Sequence, residues 1–251
     1  MKILHLDVET APHKVYAWGL WSQDISINQI VEPGYTLCWA AKWDSSEEVL
    51  FNSIYKTSED EMLQEMHSLL DEADAVTHYN GVKFDIPTLN KEFVTHGMGV
   101  PAPYHQIDLL QVAKKQFRFP SNKLDYVAQA LGLGSKVKHK GMDLWRECME
   151  GDAEAWAVME EYNRGDVILL EKLYHKLLPW IKGHPNHALY KEVLDRPVCT
   201  NCGGTHLQSR GKAKTKTQEY ARFQCVDCGT WVRGRTTEVD KNSRKNILTQ
   251  A

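Results

Sequence analysis

Hydrophobic and polar positions alternate at first with a period of two, and later with a period near 3.6. Residues 2–9 read Lys-Ile-Leu-His-Leu-Asp-Val-Glu. This predicts a strand with Leu4, Leu6 and Val8 on one face and Asp7 and Glu9 on the other. An irregular aromatic stretch, residues 11–34, follows and carries Tyr16, Trp18 and Trp21. Residues 35–43 and 48–51 predict two more strands in a hairpin with the first. Residues 58–73 place Met62, Met66, Leu69 and Leu70 at helical spacing, and Ser58 with Glu61 forms a capping box. A short apolar strand, 75–79, ends at the turn signal Asn80-Gly81. Asp85 is a favoured N-cap for the next helix, whose first turn tolerates Pro87. A strand over 104–108 leads into a helix through Lys115, with Asp108 as its cap. Residues 124–131 predict a short helix that stops at Gly132. The longest helix runs over 153–178, capped by Asp152 and closed by Pro179. Its apolar stripe comprises Ala155, Met159, Tyr162, Leu169, Leu170, Leu173 and Leu177. Strands and helices alternate after the hairpin, which predicts an α/β fold with a mixed sheet.

Acids interrupt this pattern where acids are expensive or pre-aimed. Asp7 and Glu9 repel each other on an otherwise apolar strand, unless a cation sits between them. An exposed strand end is the blander reading. Asp166 lies on the apolar stripe of the longest helix, four residues after Tyr162 and so on the same face. An unpaired carboxylate there costs on the order of several kcal/mol. Asp85 sits at a turn-to-helix junction.

The chain of 251 residues is long enough for one large domain or one plus a small one. Its 42% hydrophobic and 25% charged content is that of a globular protein. No apolar run spans a membrane, and the opening MKILHLDVET turns acidic too early for a signal peptide. The expectation is a cytoplasmic protein. Ten basic and four acidic side chains from Cys199 to Ala251 leave that segment at +6, so an overall charge of −3 puts the remainder at −9. An acidic body with a basic end predicts two parts, one of which meets a polyanion. The basic loop Lys136, Lys138, His139 and Lys140 stands alone in the acidic body, as a phosphate contact or a solvated loop. Cys38 and Cys148 read as core residues.

At this point the chain resembles a known family. Leu6-Asp7-Val8-Glu9-Thr10 looks like the first motif of the DEDD superfamily of 3′–5′ exonucleases, and Asn80-Gly-Val-Lys-Phe84-Asp85 looks like the second. Tyr162-Asn-Arg-Gly-Asp166 looks like the third, in its tyrosine form. The resemblance covers about residues 1–180, with each motif in its expected element. It implies a ribonuclease H-like fold and two divalent cations, Mg²⁺ or Mn²⁺, at the sheet's edge. By that resemblance Asp7 bridges both ions, Glu9 and Asp166 hold the one beside the attacking water, and Asp85 holds the other. Tyr162 orients the water; a phenol with a pKa of about 10 keeps its proton and serves better as an orienter than as the base. Thr10, Asn80 and Phe84 fall within the motifs as contacts to terminal nucleotides. Trp18 and Trp21 are either base-stacking or core residues.

The remaining cysteines form two knuckles, Cys199-Thr-Asn-Cys202-Gly203 and Cys225-Val-Asp-Cys228-Gly229. Four thiolates close a tetrahedral site with no open position, which predicts one structural Zn²⁺. A redox pair is the rival for a single knuckle. The segment resembles a zinc ribbon, although Thr200 and Val226 stand where such knuckles usually carry proline. Tyr220, Phe223 and Trp231 interleave with Arg222, Arg233 and Arg235. Arg222, Trp231 and Arg233 are the candidate nucleic-acid contacts; docking of a protein partner, or a small core within the ribbon, is the alternative.

The expected organisation is therefore a nuclease domain over 1–182, a linker over 183–196 that includes His184 and His187, a zinc ribbon over 197–235 and a basic tail over 236–251. The expected activity is 3′–5′ hydrolysis of nucleic acid, DNA or RNA, from its 3′ end, with DNA favoured. An exoribonuclease is one alternative. An inactive nucleic-acid-binding or adaptor protein is another, and the complete set Asp7, Glu9, Asp85, Tyr162 and Asp166 argues against it.

Overall fold

The computed structural model describes residues 1–44, 46–192 and 194–249. Ser45, Val193 of the expected linker and the last two residues of the expected basic tail lie outside the described residues. The chain divides into two compact units, one over 2–174 and the other from His175 onward together with Met1.

In the first unit β1 (Ile3–Thr10) is followed by β2 (Lys14–Val15), β3 (Ile30–Glu32), β4 (Thr36–Trp43) and β5 (Leu50–Ser53). Then come α1 (Glu59–Glu72), β6 (Ala75–His78), α2 (Asp85–Thr95), β7 (His105–Asp108) and α3 (Leu109–Gln116). α4 (Leu124–Ala130), α5 (Met142–Met149) and all but the last three residues of α6 (Ala153–Leu177) complete it. Among the described residues a five-stranded sheet runs β5-β4-β1-β6-β7. β1, β4 and β5 pair antiparallel, whereas β6 pairs parallel with β1 and β7. This is the expected mixed sheet, with β1 in its middle.

Alternation along β1 sorts the two layers. Leu4, Leu6 and Val8 join Trp39 and Ala41 of β4 in a core closed by Met62, Met66 and Leu70 of α1 and Leu89 and Phe93 of α2. Behind the sheet, Leu37 and Cys38 meet Leu144 and Cys148 of α5 and Trp156, Met159 and Tyr162 of α6. The capping box forms as expected, with Ser58 Oγ accepting from Glu61 N–H. Asp108 accepts from Leu110 and Gln111 N–H, and Asp152 from Ala155 N–H at 2.8 Å.

Three expectations need correction. Asp85 is not an N-cap: Phe84 takes that position and Asp85 is the first helical residue, because its carboxylate is engaged by β1. The stretch 11–34 is not wholly irregular, since β2 and β3 pair across it. α5 also escapes the hydrophobic pattern: it is eight residues long, and Gly141 at its N-cap has no side chain to signal the start.

In the second unit β8 (Leu207–Lys214), β9 (Glu219–Cys225) and β10 (Trp231–Thr237) form a three-stranded antiparallel sheet, followed by α7 (Lys241–Lys245). No helix among the described residues is long and apolar enough to cross a membrane.

Candidate active site and metal centres

The first centre is built where β1 outruns its parallel neighbour. Pairing with β6 ends at His5 opposite Thr77, while β1 continues to Thr10. The freed Val8 N–H needs an acceptor, and buried Asp85 supplies it, Oδ1 accepting at 3.0 Å. The turn before α2 fixes that carboxylate. Asn80 adopts φ 75° and donates from N–H to Asp108 Oδ1 at 3.0 Å, and Gly81 N–H donates to His78 Nδ1 at 3.1 Å. A Cβ on residue 81 would lie within 3.0 Å of the His78 ring, so glycine alone fits.

On the other face of β1, Asp7 and Glu9 meet α6. One oxygen each of Asp7, Glu9 and Asp166 lie within 4.8 Å of one another. Asn163 Nδ2 donates to Asp7 Oδ2 at 2.7 Å. Lys136 enters from the loop before α5; its ammonium donates to Asp166 Oδ2 and, at 3.0 Å, to the Tyr162 hydroxyl. Its own backbone N–H is held by Asp125 Oδ1 at 2.9 Å. Trp145 of α5 and His139 pack edge-on against the Tyr162 ring.

These acids suppress one another's ionisation. Burial, then the charges of Glu9, Asp166 and Asp85, hold Asp7 well above the ordinary carboxylate range. Burial lifts Glu9 to about 8 against the opposing pull of Lys136. Burial likewise lifts Asp85 to about 7 despite its bond from Val8. Asp166 is raised by burial and restrained by Lys136. Tyr162 is raised, by burial first and then by Glu9 and Asp166, so its phenol keeps its proton. Lys136 is lowered by burial but raised on balance by Asp166, Tyr162 and Asp7. One lysine cannot keep all of these desolvated carboxyls ionised, so they lose their protons together only when further positive charge arrives, and buried Asp166 Oδ1 has no hydrogen-bond partner. An all-oxygen donor set with an unused buried oxygen fits hard divalent cations such as Mg²⁺ or Mn²⁺.

A cavity of about 320 Å³ is lined by Thr10 and Phe84, the chain neighbours of Glu9 and Asp85, and by Tyr35, Lys83, Lys91 and Glu92 among others. Two of the expected nucleotide contacts, Thr10 and Phe84, thus come together there; Asn80 stays on its turn. None of the four acids lines this cavity or a larger one of about 570 Å³ over Lys138, Lys140, Glu147 and Glu154.

Sequence reasoning missed Lys136 and Asn163 as site residues. Lys136 lay in a loop without periodicity, read as a phosphate contact or solvated. Asn163 adjoins Tyr162 inside the third motif, and its polarity on a buried helix face was the available signal.

The second centre lies in the second unit. Sγ atoms of Cys199, Cys202, Cys225 and Cys228 all lie within 4.8 Å of one another. The Cys199–Cys228 and Cys202–Cys225 sulfurs are each 3.6 Å apart. A disulfide needs about 2.05 Å, whereas zinc–sulfur bonds near 2.3 Å in a tetrahedron place sulfurs about 3.8 Å apart. The donor set fits zinc. Gly203 and Gly229 adopt φ of 70° and 81°, the left-handed turn that ends each knuckle, and Gly204 N–H points to Cys202 Sγ at 3.4 Å.

In β9 and β10, Arg222 pairs with Arg233, and Tyr220, Arg222, Trp231 and Arg233 share one sheet face. Arg222 lies 5.2 Å from the Trp231 ring centre and Arg233 lies 4.0 Å from that of Tyr220. Phe223 takes the opposite face with Val232.

Comparison with known proteins agrees with this architecture. A model described as the RNase H superfamily matches residues 35–178, more than half of the chain, and the chain belongs to that superfamily. The matched span includes Asp85, Tyr162 and Asp166; Asp7 and Glu9 precede it. No curated protein matches the chain. Among solved structures, the family B DNA polymerase from the hyperthermophilic archaeon Pyrobaculum calidifontis is similar, with a TM-score of 0.55 and 18% identity over 71% of this chain. The similarity is one of fold, and the chain spans about a quarter of the polymerase, 24% of its length.

Proposed function

We propose that the chain is a metal-dependent 3′–5′ exonuclease of the tyrosine-type DEDD group, with a C-terminal zinc ribbon that helps to hold substrate. The observation that carries this reading is the convergence of Asp7, Glu9 and Asp166 oxygens within 4.8 Å, beside a protonated Tyr162. Superfamily membership supports nuclease chemistry, and the likeness to a DNA polymerase favours DNA as substrate. In this reading, residues 1–182 are the nuclease domain, 183–196 the linker, 197–235 the ribbon and 236–251 the basic tail.

Asp7, Glu9, Asp85 and Asp166 would hold two Mg²⁺ or Mn²⁺ ions. Bound ions supply positive charge to an in-line phosphoryl displacement and lower the pKa of water. Asn163 fixes the Asp7 carboxylate through its 2.7 Å bond. Tyr162 offers its hydroxyl proton to orient the attacking water, and Lys136 holds that hydroxyl at 3.0 Å. Thr10 and Phe84 bracket the terminal nucleotide in the neighbouring cavity. Arg222, Trp231 and Arg233 of the ribbon supply stacking and phosphate contacts, and one Zn²⁺ holds the ribbon together.

The test is a gel assay with end-labelled single- and double-stranded DNA and RNA, with and without Mg²⁺ or Mn²⁺. Stepwise shortening from the 3′ end, lost in Asp7→Ala and slowed in Tyr162→Phe, is the expected result. Shortening of RNA alone makes the protein an exoribonuclease. Binding without cleavage in either metal overturns the nuclease assignment.

A further inference from the structure

Between β1 and β4 the chain leaves the carboxylates as an arm. Its root is fixed: Ala11 N–H donates to Tyr35 O at 2.8 Å, Gly34 N–H to His13 Nδ1 at 2.8 Å, and Lys91 Nζ to Gly34 O at 3.2 Å. Its stem is the β2–β3 pair, closed by a 2.6 Å ion pair between Lys14 and Glu32. Tyr16 N–H donates to Gln29 O at 2.9 Å, and Gln29 Nε2 donates back to Tyr16 O at 2.7 Å. Against this ordered backbone the side chains of Tyr16, Trp18 and Trp21 are 76%, 98% and 84% exposed. The exposure removes core packing as a role for the two tryptophans. Three large aromatic side chains in water on a braced scaffold mark an interaction surface.

We propose that this arm, residues 14–32, grips the single-stranded segment of the substrate upstream of its 3′ end, with Tyr16, Trp18 and Trp21 stacking on unpaired bases. The inference rests on the nuclease reading. Continuity with the site favours a nucleic-acid strand. His13 and Gly34 of the arm's root line the same cavity as Thr10 and Phe84, so a strand with its terminal nucleotide at the acids emerges past the arm. Charge agrees on balance, since the cavity lining carries Lys83 and Lys91 against one acid, Glu92, with which Lys91 pairs at 2.7 Å. At 98% exposure the Trp18 indole has both faces open. That suits a base above or below and not a flat protein contact. Every base has a π-face, so the grip is indifferent to sequence, and paired bases are unavailable to it.

The test uses the full chain and a Trp18→Ala/Trp21→Ala variant in Mg²⁺. Binding is read by anisotropy on a labelled single strand of about twelve nucleotides with phosphorothioate linkages that resist cleavage, and on a blunt duplex of equal length. Hydrolysis is read on a dinucleotide, too short to span the acids and the arm. A loss of about fivefold or more per stacked base is expected for the single strand, with duplex binding and dinucleotide hydrolysis unchanged, and recovery in Trp18→Phe/Trp21→Phe. Unchanged single-strand affinity in a variant that still cuts the dinucleotide overturns the arm's role alone. Absence of cleavage in the unmodified chain overturns the nuclease reading itself.

Discussion

Asn163 Nδ2 lies 2.7 Å from Asp7 Oδ2 and ties the long helix α6 to the central strand β1. A ligand's orientation depends on such outer partners, and their loss commonly costs about 10–100-fold in metal affinity or activity. Asn163→Ala is therefore expected to weaken Mn²⁺ binding by about that factor, measured by titration calorimetry. Wild-type affinity in this variant would dismiss Asn163 as a positioning residue.

Lys136 is the cation that bonds Asp166 and Tyr162. Its removal leaves the acids to repel one another until a divalent ion arrives. Lys136→Met should lower the stability of the EDTA-treated protein by about 1–3 kcal/mol, below the about 3–5 kcal/mol of a fully buried pair because Lys136 is partly open to solvent. The same variant should gain more than the wild type from Mn²⁺ in thermal melts. Equal Mn²⁺-induced shifts in the two proteins would count against the charge-balancing role.

Gly81→Ala forces a Cβ within 3.0 Å of the His78 ring, in the turn that delivers Asp85. Overpacking of this kind costs about 1–3 kcal/mol, and a displaced Asp85 loses its bond from Val8. Denaturant titration should show the stability loss, together with a fall in kcat. Activity that survives a clear loss of stability would mean that Asp85 does not depend on this turn.

Zinc withdrawal should act on the second unit alone. The four sulfurs tie its two knuckles together, and short zinc modules do not hold their fold without metal. Treatment with a strong chelator should collapse the amide signals of β8, β9 and β10 while those of β1, β4 and α6 stay dispersed. One equivalent of zinc should be released per chain. A ribbon that keeps its spectrum after metal loss would contradict the assignment.

Much of this was legible in the sequence because periodicity carries it. A period of two put Asp7 and Glu9 on one side of β1, helical spacing put Tyr162 and Asp166 on one side of α6, and Ser58 with Glu61 marked the start of α1. Long-range pairing carried no such signal. Asp85 looked like a cap because Asp commonly is one; only the fold supplies Val8 N–H as a competing donor. Lys136 comes from a loop whose path depends on Asp125 holding its backbone. The arm's tryptophans could not be assigned to core or solvent, since aromatic side chains serve in both and the stretch has no period.

The bond from Asn163 to Asp7 joins residues 156 positions apart. Contacts of such separation must meet the entropy of closing the intervening chain. The acidic cluster is therefore complete only while α6 is docked against β1. A partly folded chain holds Asp7 and Glu9 without their partners, so any cutting activity of this site is withheld until folding is complete.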